Sequence, residues 1–444
     1  MKYVVIGGDA AGMSAAMQII RNDKQAEVIT LEKGPIYSYA QCGLPYIIGG
    51  HISSTDDLIA RKRETFQDKY GIDARIHHEV TNVDPNTKTV YGQRCDVNEP
   101  FDITYDKLLI ATGADPLLPN WEGRELNGIH TIKTIPGLHS LIDDIGTSKK
   151  EVAIIGGGYI GLEMAENFHD AGHHVKIIEQ GSQLAGVFDA DMAELIHHKA
   201  KEKDIELYLN ESVQAFRGTE KVQEVVTDKR SIRVDIVIVA VGVKPNTKLV
   251  EQTGIHLSSN GAIIVNAQME TNTKDIYAAG DCATQFHRIK QKNDYIPLGT
   301  HANKQGRTAG LMMAGIHRTF QGVVGTAIMK FFDATLARTG ISEKEAEVLR
   351  IPYHTVKAEL PHIASYYPTP EKMQVKIIYE AETNRLLGGQ IIGKSGVDKR
   401  IDVLATALYH HMTIQDLEDL DLAYAPPYNM VWDPIQQTAR RREH

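Results

Sequence analysis

The chain has 444 residues, 42% hydrophobic and 24% charged, so it is long enough for two to four globular domains. Its formal net charge of −9 argues against nucleic acid as a partner. No apolar run approaches the roughly 20 residues of a transmembrane helix. A glycine turn interrupts the short N-terminal stretch that resembles a signal peptide. We therefore expect a cytoplasmic protein with no membrane partner.

The first predicted element is a strand that begins at Tyr3 and runs into a glycine-rich turn, followed by a helix. Glu32 ends the next predicted strand. Such a unit offers backbone N–H groups and a helix N-terminus to a pyrophosphate, and its terminal acid hydrogen-bonds a ribose diol. Asp9 replaces the middle glycine of the fingerprint, so the match is imperfect. The residues expected to bind this first dinucleotide are Gly7, Asp9, Ala10, Gly12, Glu32, Lys33 and Val80.

The next informative segment surrounds Cys42, because Pro45 indicates that a helix begins near this cysteine. A helix N-terminus favours the thiolate, which is the nucleophilic form. The ordinary alternative is a buried structural cysteine. The other two cysteines, Cys95 and Cys282, are distant, and no CxxC or CxxxxC pair occurs. The pattern argues against a disulfide framework, an internal redox disulfide or a metal site.

A second apolar strand leads into Thr112 and Gly113, which we expect to contact a flavin. The second fingerprint then follows between two further strands and is complete. Its terminal acid favours NADH, because a carboxylate accepts the ribose 2′-hydroxyl and repels a 2′-phosphate, although NADPH stays open. The residues expected to bind this second dinucleotide are Gly156, Gly158, Tyr159, Ile160, Gly161, Glu179 and Gly242.

A later strand and turn carry Asp281. We expect its carboxylate to hydrogen-bond the ribityl or pyrophosphate part of a flavin at a helix N-terminus, and a simple N-cap is the ordinary alternative. Two dinucleotide units on one chain indicate electron transfer between FAD and a nicotinamide. Cys42 is the natural next acceptor for those electrons.

The predicted fold class is α/β, with two Rossmann-like dinucleotide-binding domains and a C-terminal α+β domain. The FAD-binding domain is discontinuous and consists of residues 1–115 and 245–322. The NAD(P)H-binding domain, 116–244, is inserted into it, and the third domain is 325–444. In this last part the pattern predicts strands over 326–332, 374–379 and 387–392 and an amphipathic helix over 397–412.

With these elements in place, the chain resembles the pyridine nucleotide-disulfide oxidoreductases over nearly its whole length. Within them it is similar to the single-cysteine branch of coenzyme A-disulfide reductases, NADH oxidases and NADH peroxidases. The motifs behind the resemblance are Ser38-x-x-x-Cys42, Thr271–Ala283 and Tyr424–Asn429 with Trp432–Pro434. The resemblance implies a homodimer in which residues 325–444 form the dimerisation domain and cover the partner's active site.

Oxidases and peroxidases of this family carry a histidine in the first glycine turn, where this chain has Ala10. The coenzyme A-disulfide reductases lack the histidine and bring tyrosines from the neighbouring subunit. Tyr366 and Tyr424 match those tyrosines, and Tyr367 is left open as an alternative to Tyr366. Without the resemblance, core aromatics would be the ordinary interpretation.

The resemblance implies reduction of coenzyme A disulfide to two thiols by NAD(P)H and FAD, through a Cys42–S–S–CoA mixed disulfide. Cys42, Tyr366 and Tyr424 would be catalytic. Gln41 replaces an asparagine of related enzymes. The alternatives left open are an NADH oxidase or peroxidase, a polysulfide reductase and an NADH-sensing flavoprotein scaffold. The substrate contacts that the resemblance implies are Ser14, Gln18, Arg21, Ser38, Gln41, His301 and Trp432.

Overall fold

The computed structural model describes residues 1–442. Its strands are, in chain order, β1 (Lys2–Ile6), β2 (Glu27–Leu31), β3 (Asp73–Arg75), β4 (His78–Asp84), β5 (Thr89–Arg94), β6 (Glu99–Thr104), β7 (Lys107–Ile110), β8 (Ala114–Pro116), β9 (Ile129–His130), β10 (Glu151–Ile155), β11 (His174–Glu179), β12 (Glu206–Leu209), β13 (Val213–Gly218), β14 (Val222–Thr227), β15 (Ser231–Arg233), β16 (Ile236–Val239), β17 (Val243–Pro245), β18 (Ile276–Ala278), β19 (Gln285–His287), β20 (Lys292–Asp294), β21 (Ala327–Phe331), β22 (Ala334–Gly340), β23 (Tyr353–Pro361), β24 (Lys372–Glu380) and β25 (Leu386–Gly393). Its α-helices are α1 (Ala10–Asn22), α2 (Leu44–Ile48), α3 (Ile135–Ile145), α4 (Tyr159–Asp170), α5 (Ala190–Glu202), α6 (Gly299–Met313), α7 (Glu343–Leu349), α8 (Val397–Tyr409), α9 (Ile414–Glu418) and α10 (Pro434–Ala439).

Two five-stranded parallel sheets carry the two glycine-rich turns. The first has the order β3-β2-β1-β7-β18 and the second the order β12-β11-β10-β16-β9. Their inner strands are almost wholly buried and apolar, as expected where both faces of a parallel sheet are covered. In each sheet a central strand, β1 or β10, runs directly into a turn and a helix, so the two turns occupy equivalent positions.

The first sheet is built from two separated stretches of the chain. Its edge strand β18 pairs with β7 although the whole second sheet lies between them in sequence. Two smaller antiparallel sheets, β4-β5-β6 and β13-β14-β15, flank the parallel ones. The domain boundaries near residues 115, 245 and 322 stay predictions.

A five-stranded antiparallel sheet, β21-β22-β25-β24-β23, forms the C-terminal part, and α8 packs on it. Three of these strands and the helix lie where the sequence pattern predicted them. The pattern missed β22 and β23. The reason for β22 is that it is a mixture of small and polar residues, which only the packed sheet buries. The predicted fold class is confirmed. None of the helices within residues 1–442 has the length and apolarity needed to span a bilayer.

Helix α6 fixes the position of α1, the helix that follows the first glycine turn. A β-carbon on Gly306 would lie 2.1 Å from the carbonyl oxygen of Ala11, and one on Gly310 would lie 2.4 Å from that of Ala15. Only glycine permits so close a backbone approach. The two glycines therefore set the distance between the helices, and with it the place of the first turn.

The prediction of a helix N-terminus at Asp281 is wrong. Residues 281–283 form a turn that leads into β19, and the next α-helix begins at Gly299. The reason is a long-range pairing: the Ile263 N–H donates to Cys282 O at 2.8 Å, and the Thr284 N–H donates to Ile263 O at 2.9 Å. The pairing takes the backbone groups that a helix would have used.

Candidate active site

A continuous cavity of about 2680 Å³ runs between the two glycine-rich turns. It brings together residues from both parallel sheets, from α6 and from the Cys42 segment. Both predicted dinucleotide turns therefore share one cavity with the predicted nucleophile. The predicted site residues in its wall are Asp9, Ala10, Ser38, Gln41, Cys42, Gly113, Gly156, Gly158, Tyr159, Ile160, Glu179, Gly242, Asp281 and His301.

The first turn requires glycine at both of its ends. Gly7 has a φ of 118°, and a β-carbon there would lie 2.2 Å from the Ala111 carbonyl oxygen. A β-carbon on Gly12 would lie 2.0 Å from the carbonyl oxygen of Gly7. These contacts draw α1 tightly against β1, so that the helix N-terminus faces the cavity.

Two glutamates close the two turns in the same way. Each carboxylate accepts hydrogen bonds from two backbone N–H groups, one in the glycine-rich turn and one just beyond its own strand. This orients both acids at the carboxyl ends of β2 and β11, where a ribose diol lies in such folds. The donors are Gly8 and Gly34 for Glu32, both at 2.8 Å, and Gly157 (2.8 Å) and Gly181 (2.6 Å) for Glu179.

The space at both turns fits a dinucleotide. A β-carbon on Gly158 would meet nothing within 4 Å, which leaves room for a pyrophosphate at the middle glycine of the second fingerprint. The space beside Gly113 is open in the same sense. The Tyr159 phenol oxygen is buried in the cavity wall and has no hydrogen-bond partner among residues 1–442. A bound nucleotide would give it one.

Cys42 is exposed to the cavity and lies in a 3₁₀ turn, Gln41–Gly43, directly before α2. Pro45 stands in the first turn of α2, so the prediction of a helix beginning near the cysteine is confirmed. The backbone N–H of Ser38 donates to Gly8 O at 2.9 Å. This bond joins the cysteine segment to the first glycine turn.

Asp9 and Gln41 form a second link between the same two segments. The Gln41 Nε2 group donates to Asp9 Oδ2 at 2.7 Å. Burial raises the pKa of Asp9 to about 6, and Glu32 adds to the rise, whereas the Gln41 hydrogen bond and Lys133 oppose it. Asp9 stands at the middle glycine position of the fingerprint and Gln41 stands in place of an asparagine. The two departures from the usual pattern therefore contact each other.

Sequence reasoning missed Glu163 and Lys133, which also line the cavity. Burial raises the pKa of Glu163 to about 7. Its place as a lone acid directly after the apolar first turn of α4 was a signal that could have revealed it. Burial also raises the pKa of Asp281, and Lys133 opposes that rise. Lys133 lies in a loop, where the sequence offered no signal.

His301 is a buried residue of the cavity wall on α6. Its Nδ1 lies 3.0 Å from the Ile296 carbonyl oxygen, and because a carbonyl can only accept, Nδ1 carries the proton. Burial lowers the pKa of His301, so the imidazole is neutral near pH 7. A neutral imidazole keeps Nε2 as an acceptor.

Several predicted residues are not part of this cavity wall. Thr112 Oγ1 donates to Asn246 O at 2.6 Å, and Lys33 lies 3.5 Å from Asp115. The remaining ones are Gly7, Gly12, Gly161 and Glu32, which shape the two turns; Ser14, Gln18 and Arg21, which lie on α1; Val80, which lies on β4; and Tyr366, Tyr424 and Trp432, which lie in the C-terminal part.

The C-terminal tyrosines form a pair on an exposed aromatic patch. The Tyr366 and Tyr424 hydroxyls lie 2.9 Å apart, and this hydrogen bond raises the pKa of Tyr424. The contact favours Tyr366 over Tyr367 as the partner. We call the surrounding surface the aromatic patch; its exposed members are Tyr366, Tyr367, Tyr424, Tyr428, Val431 and Trp432.

Comparison with known proteins gives a consistent result. Residues 1–306 match the family described as pyridine nucleotide-disulphide oxidoreductase, and residues 326–434 match its dimerisation domain. The chain is 39% identical over 444 residues to an NAD(P)H coenzyme A polysulfide/persulfide reductase of Pyrococcus horikoshii, covering 99% of this chain and 98% of that protein. It is 33% identical over 438 residues to a coenzyme A disulfide reductase of Staphylococcus aureus, covering 98% of each. The solved structure of reduced Bacillus anthracis CoADR-RHD superposes with a TM-score of 0.96 at 34% identity, over 99% of this chain and 79% of that one.

We predict that Asp9→Asn stabilises the protein at pH 7.5 and not at pH 4. The carboxyl has a pKa raised from 3.8 to about 6 in the fold, so its favourable contribution is complete below pH 3.8 and is lost as the pH rises through 6. The difference from wild type should grow from near zero to about 3 kcal/mol. Urea unfolding at several pH values measures it. A gain that does not depend on pH would contradict the prediction.

Proposed function

The chain belongs to the pyridine nucleotide-disulphide oxidoreductase family, and we propose that it reduces coenzyme A disulfide with NADH. The family and the relatives make it an NAD(P)H-dependent flavoprotein disulfide reductase. The observation that supports coenzyme A disulfide as the substrate is the position of Cys42. Of the three cysteines, it alone lines the cavity shared by the two glycine-rich turns. A single cysteine forms a mixed disulfide with its substrate rather than an internal one.

The chain's own residues account for cofactor binding in this proposal. FAD would be held by the first turn, Glu32, Thr112, Gly113 and Asp281, and the nicotinamide cofactor by the second turn. The chemistry that bound FAD would supply is hydride acceptance from reduced nicotinamide and two-electron reduction of the disulfide at Cys42. The charged groups at the first turn are Asp9, Glu32 and Lys133.

Cys42 performs the exchange step. Its thiolate attacks one sulfur of coenzyme A disulfide, so the substrate S–S bond breaks, the Cys42–S–S–CoA bond forms and one CoA thiolate leaves. Two electrons then break the mixed disulfide and release the second CoA thiolate and the Cys42 thiolate. Each leaving thiolate takes up one proton. Tyr424, hydrogen-bonded to Tyr366, supplies that proton or a hydrogen bond in the exchange step.

A coenzyme A persulfide or a polysulfide is a second candidate substrate. The name of the Pyrococcus horikoshii relative favours it, and the same thiolate attack breaks any accessible S–S bond. An oxidase or peroxidase is less favoured, because Ala10 in the cavity wall offers a methyl group where those enzymes carry an imidazole. A scaffold without turnover would not require an exposed cysteine beside the flavin turn.

We also propose a homodimer. The match to the dimerisation domain and the aromatic patch support it, since large apolar side chains exposed together mark an interaction site. Tyr366 and Trp432 are 73% and 42% exposed in the single chain. In a dimer they would reach the cavity of the partner subunit.

We predict that Cys42→Ser still accepts hydride from NADH into the flavin but loses turnover with coenzyme A disulfide. The serine hydroxyl is too weak a nucleophile to form the mixed linkage. When the two are measured separately, flavin bleaching should persist and thiol release should be lost. Cys95→Ser, on a residue outside the cavity, is the matched control. A serine variant that keeps most of its activity would show that Cys42 is structural.

We predict that Glu179→Ala narrows the preference for NADH over NADPH by roughly ten- to a hundredfold, because it removes both the acceptor for the 2′-hydroxyl and the charge that repels a 2′-phosphate. The ratio of kcat/KM for the two donors measures the change. Glu32→Ala should instead weaken retention of FAD. A wild-type enzyme that prefers NADPH would refute this part alone.

We predict that Cys42 and Tyr424 act across the subunit interface. A heterodimer of Cys42→Ser and Tyr424→Phe subunits should then regain about half of the wild-type activity, since one of its two sites is intact. If the residues act within one subunit, both sites are damaged and the heterodimer is no more active than the parent homodimers. Two affinity tags allow its isolation, and mixed wild-type and Cys42→Ser dimers give the reference.

A further inference from the structure

Arg400 of α8 is the largest side chain in the interior that is essentially inaccessible, with 1% exposure. Its Nε contacts both oxygens of Asp433 at 3.0 and 3.1 Å. Nη1 donates to Gly396 O at 2.9 Å, and Nη2 donates to His362 O at 2.8 Å and to Asn429 Oδ1 at 3.0 Å. The guanidinium therefore joins α8 to two segments that are far apart in sequence.

Each of those segments carries one member of the tyrosine pair. His362 lies shortly before Tyr366, after the end of β23. Asn429 lies shortly after Tyr424, and its Nδ2 group donates to the carbonyl oxygen of Ala423 at 3.0 Å. Arg400 is thus connected to the segment before one tyrosine directly and to the residue beside the other through a single amide.

The third C-terminal site residue, Trp432, is adjacent in the chain to the same buried ion pair. Trp432 directly precedes Asp433, whose carboxylate also accepts from the Ile435 N–H at 3.0 Å and caps α10. The segments that carry Tyr366, Tyr424 and Trp432 are therefore all connected to one buried ion pair. A lysine could not replace the arginine here, because only a planar guanidinium offers several N–H donors in fixed directions.

We propose that Arg400 is a positioning residue that holds Tyr366 and Tyr424 at hydrogen-bond distance for the exchange step, through the His362 carbonyl on one side and Asn429 on the other. The inference rests on the proposed function, in which Tyr424 assists the leaving thiolate. Arg400 touches neither phenol. It fixes the two loops whose ends present them, and a shift of about 1 Å at such a group costs up to about a hundredfold in rate.

Asn429→Ala is the first test, because it removes the three hydrogen bonds of the amide, from Arg400 Nη2, to Ala423 O and from the Met430 N–H, and leaves the Arg400–Asp433 pair intact. In the FAD-loaded dimer we expect exchange with coenzyme A disulfide to slow by roughly ten- to a hundredfold. Flavin reduction by NADH should change less than about twofold, since that step does not use the tyrosines. Stopped-flow absorbance separates the two steps. An unchanged exchange rate would overturn the proposal.

A double variant tests whether the amide acts through the tyrosine. If it does, Asn429→Ala should add little to the effect of Tyr424→Phe, and the two losses should be clearly non-additive. Losses that multiply would mean that Asn429 acts independently, which would overturn the proposal. A Tyr424→Phe enzyme with normal exchange would instead refute the proposed role of the tyrosine.

The state of the phenols can be read without turnover. The Tyr366 contact raises the pKa of Tyr424. Tyrosine labelled with ¹³C at Cζ, with the Tyr424 signal identified by its loss in Tyr424→Phe, allows this ionisation to be followed by NMR. Asn429→Ala and Tyr366→Phe should both lower the pKa toward the ordinary tyrosine value. An unchanged titration in Asn429→Ala would show that the pair does not depend on the amide.

Thr339→Val controls for loss of stability. Thr339 is 1% exposed in β22, and its hydroxyl lies 2.8 Å from that of Thr326, so the variant also removes one partly buried hydrogen bond at the C-terminal sheet. We expect it to lower the melting temperature without slowing exchange. Arg400→Lys should lower the melting temperature and slow exchange together. A Thr339→Val enzyme that loses exchange as strongly as Asn429→Ala would reduce the effect to general destabilisation and overturn the proposal.

Discussion

Both nucleotide-binding turns depend on one constraint, the approach of a helix backbone to the backbone of the preceding turn with no β-carbon between them. A β-carbon on Gly12 or on Gly161 would lie 2.0 Å from the carbonyl oxygen of Gly7 or Gly156, respectively. The two distances agree although the three residues before the last glycine differ, Asp-Ala-Ala in the first turn and Gly-Tyr-Ile in the second. The constraint brings each helix N-terminus to the same end of its sheet, which is where a pyrophosphate is stabilised. The shared cavity then follows from the way the two sheets face each other.

Sequence predicted the parts of the site that are local. Each fingerprint, its acid and the helix after Cys42 are set by residues close together in the chain, so pattern reasoning reached them. Asp281 shows the opposite case: its segment had the local signals of a helix start, and a pairing with Ile263 overrode them. Glu163 matters because it is buried, and Lys133 because its charge acts on Asp9 and Asp281, and neither burial nor these long-range contacts can be read from spacing in the sequence.

Asp9 illustrates how a departure from a pattern can be compensated. The Asp9 carboxylate stands at the middle glycine position of the fingerprint, where it is buried and lies near Glu32. Burial and this like charge both oppose its ionisation. Gln41 is uncharged and donates one hydrogen bond to the Asp9 carboxylate, and Lys133 adds a positive charge nearby. The sequence showed both substitutions separately. Only the fold showed that they contact each other, and that together they link the first glycine turn to the segment of Cys42.

The proposed reaction divides between two kinds of structure. Hydride and electron transfer occur within the cavity, whose geometry is set by backbone contacts between rigid elements. Proton supply for exchange depends on two loops of the C-terminal part, and loops keep a fixed geometry only where buried polar groups hold them. Arg400 meets that need by donating to His362 O in one loop and to Asn429 Oδ1 in the other, while Asp433 pairs with its charge. The exchange step should therefore be the more easily lost of the two, because the contacts of one guanidinium hold its two loops whereas whole sheets support the other step.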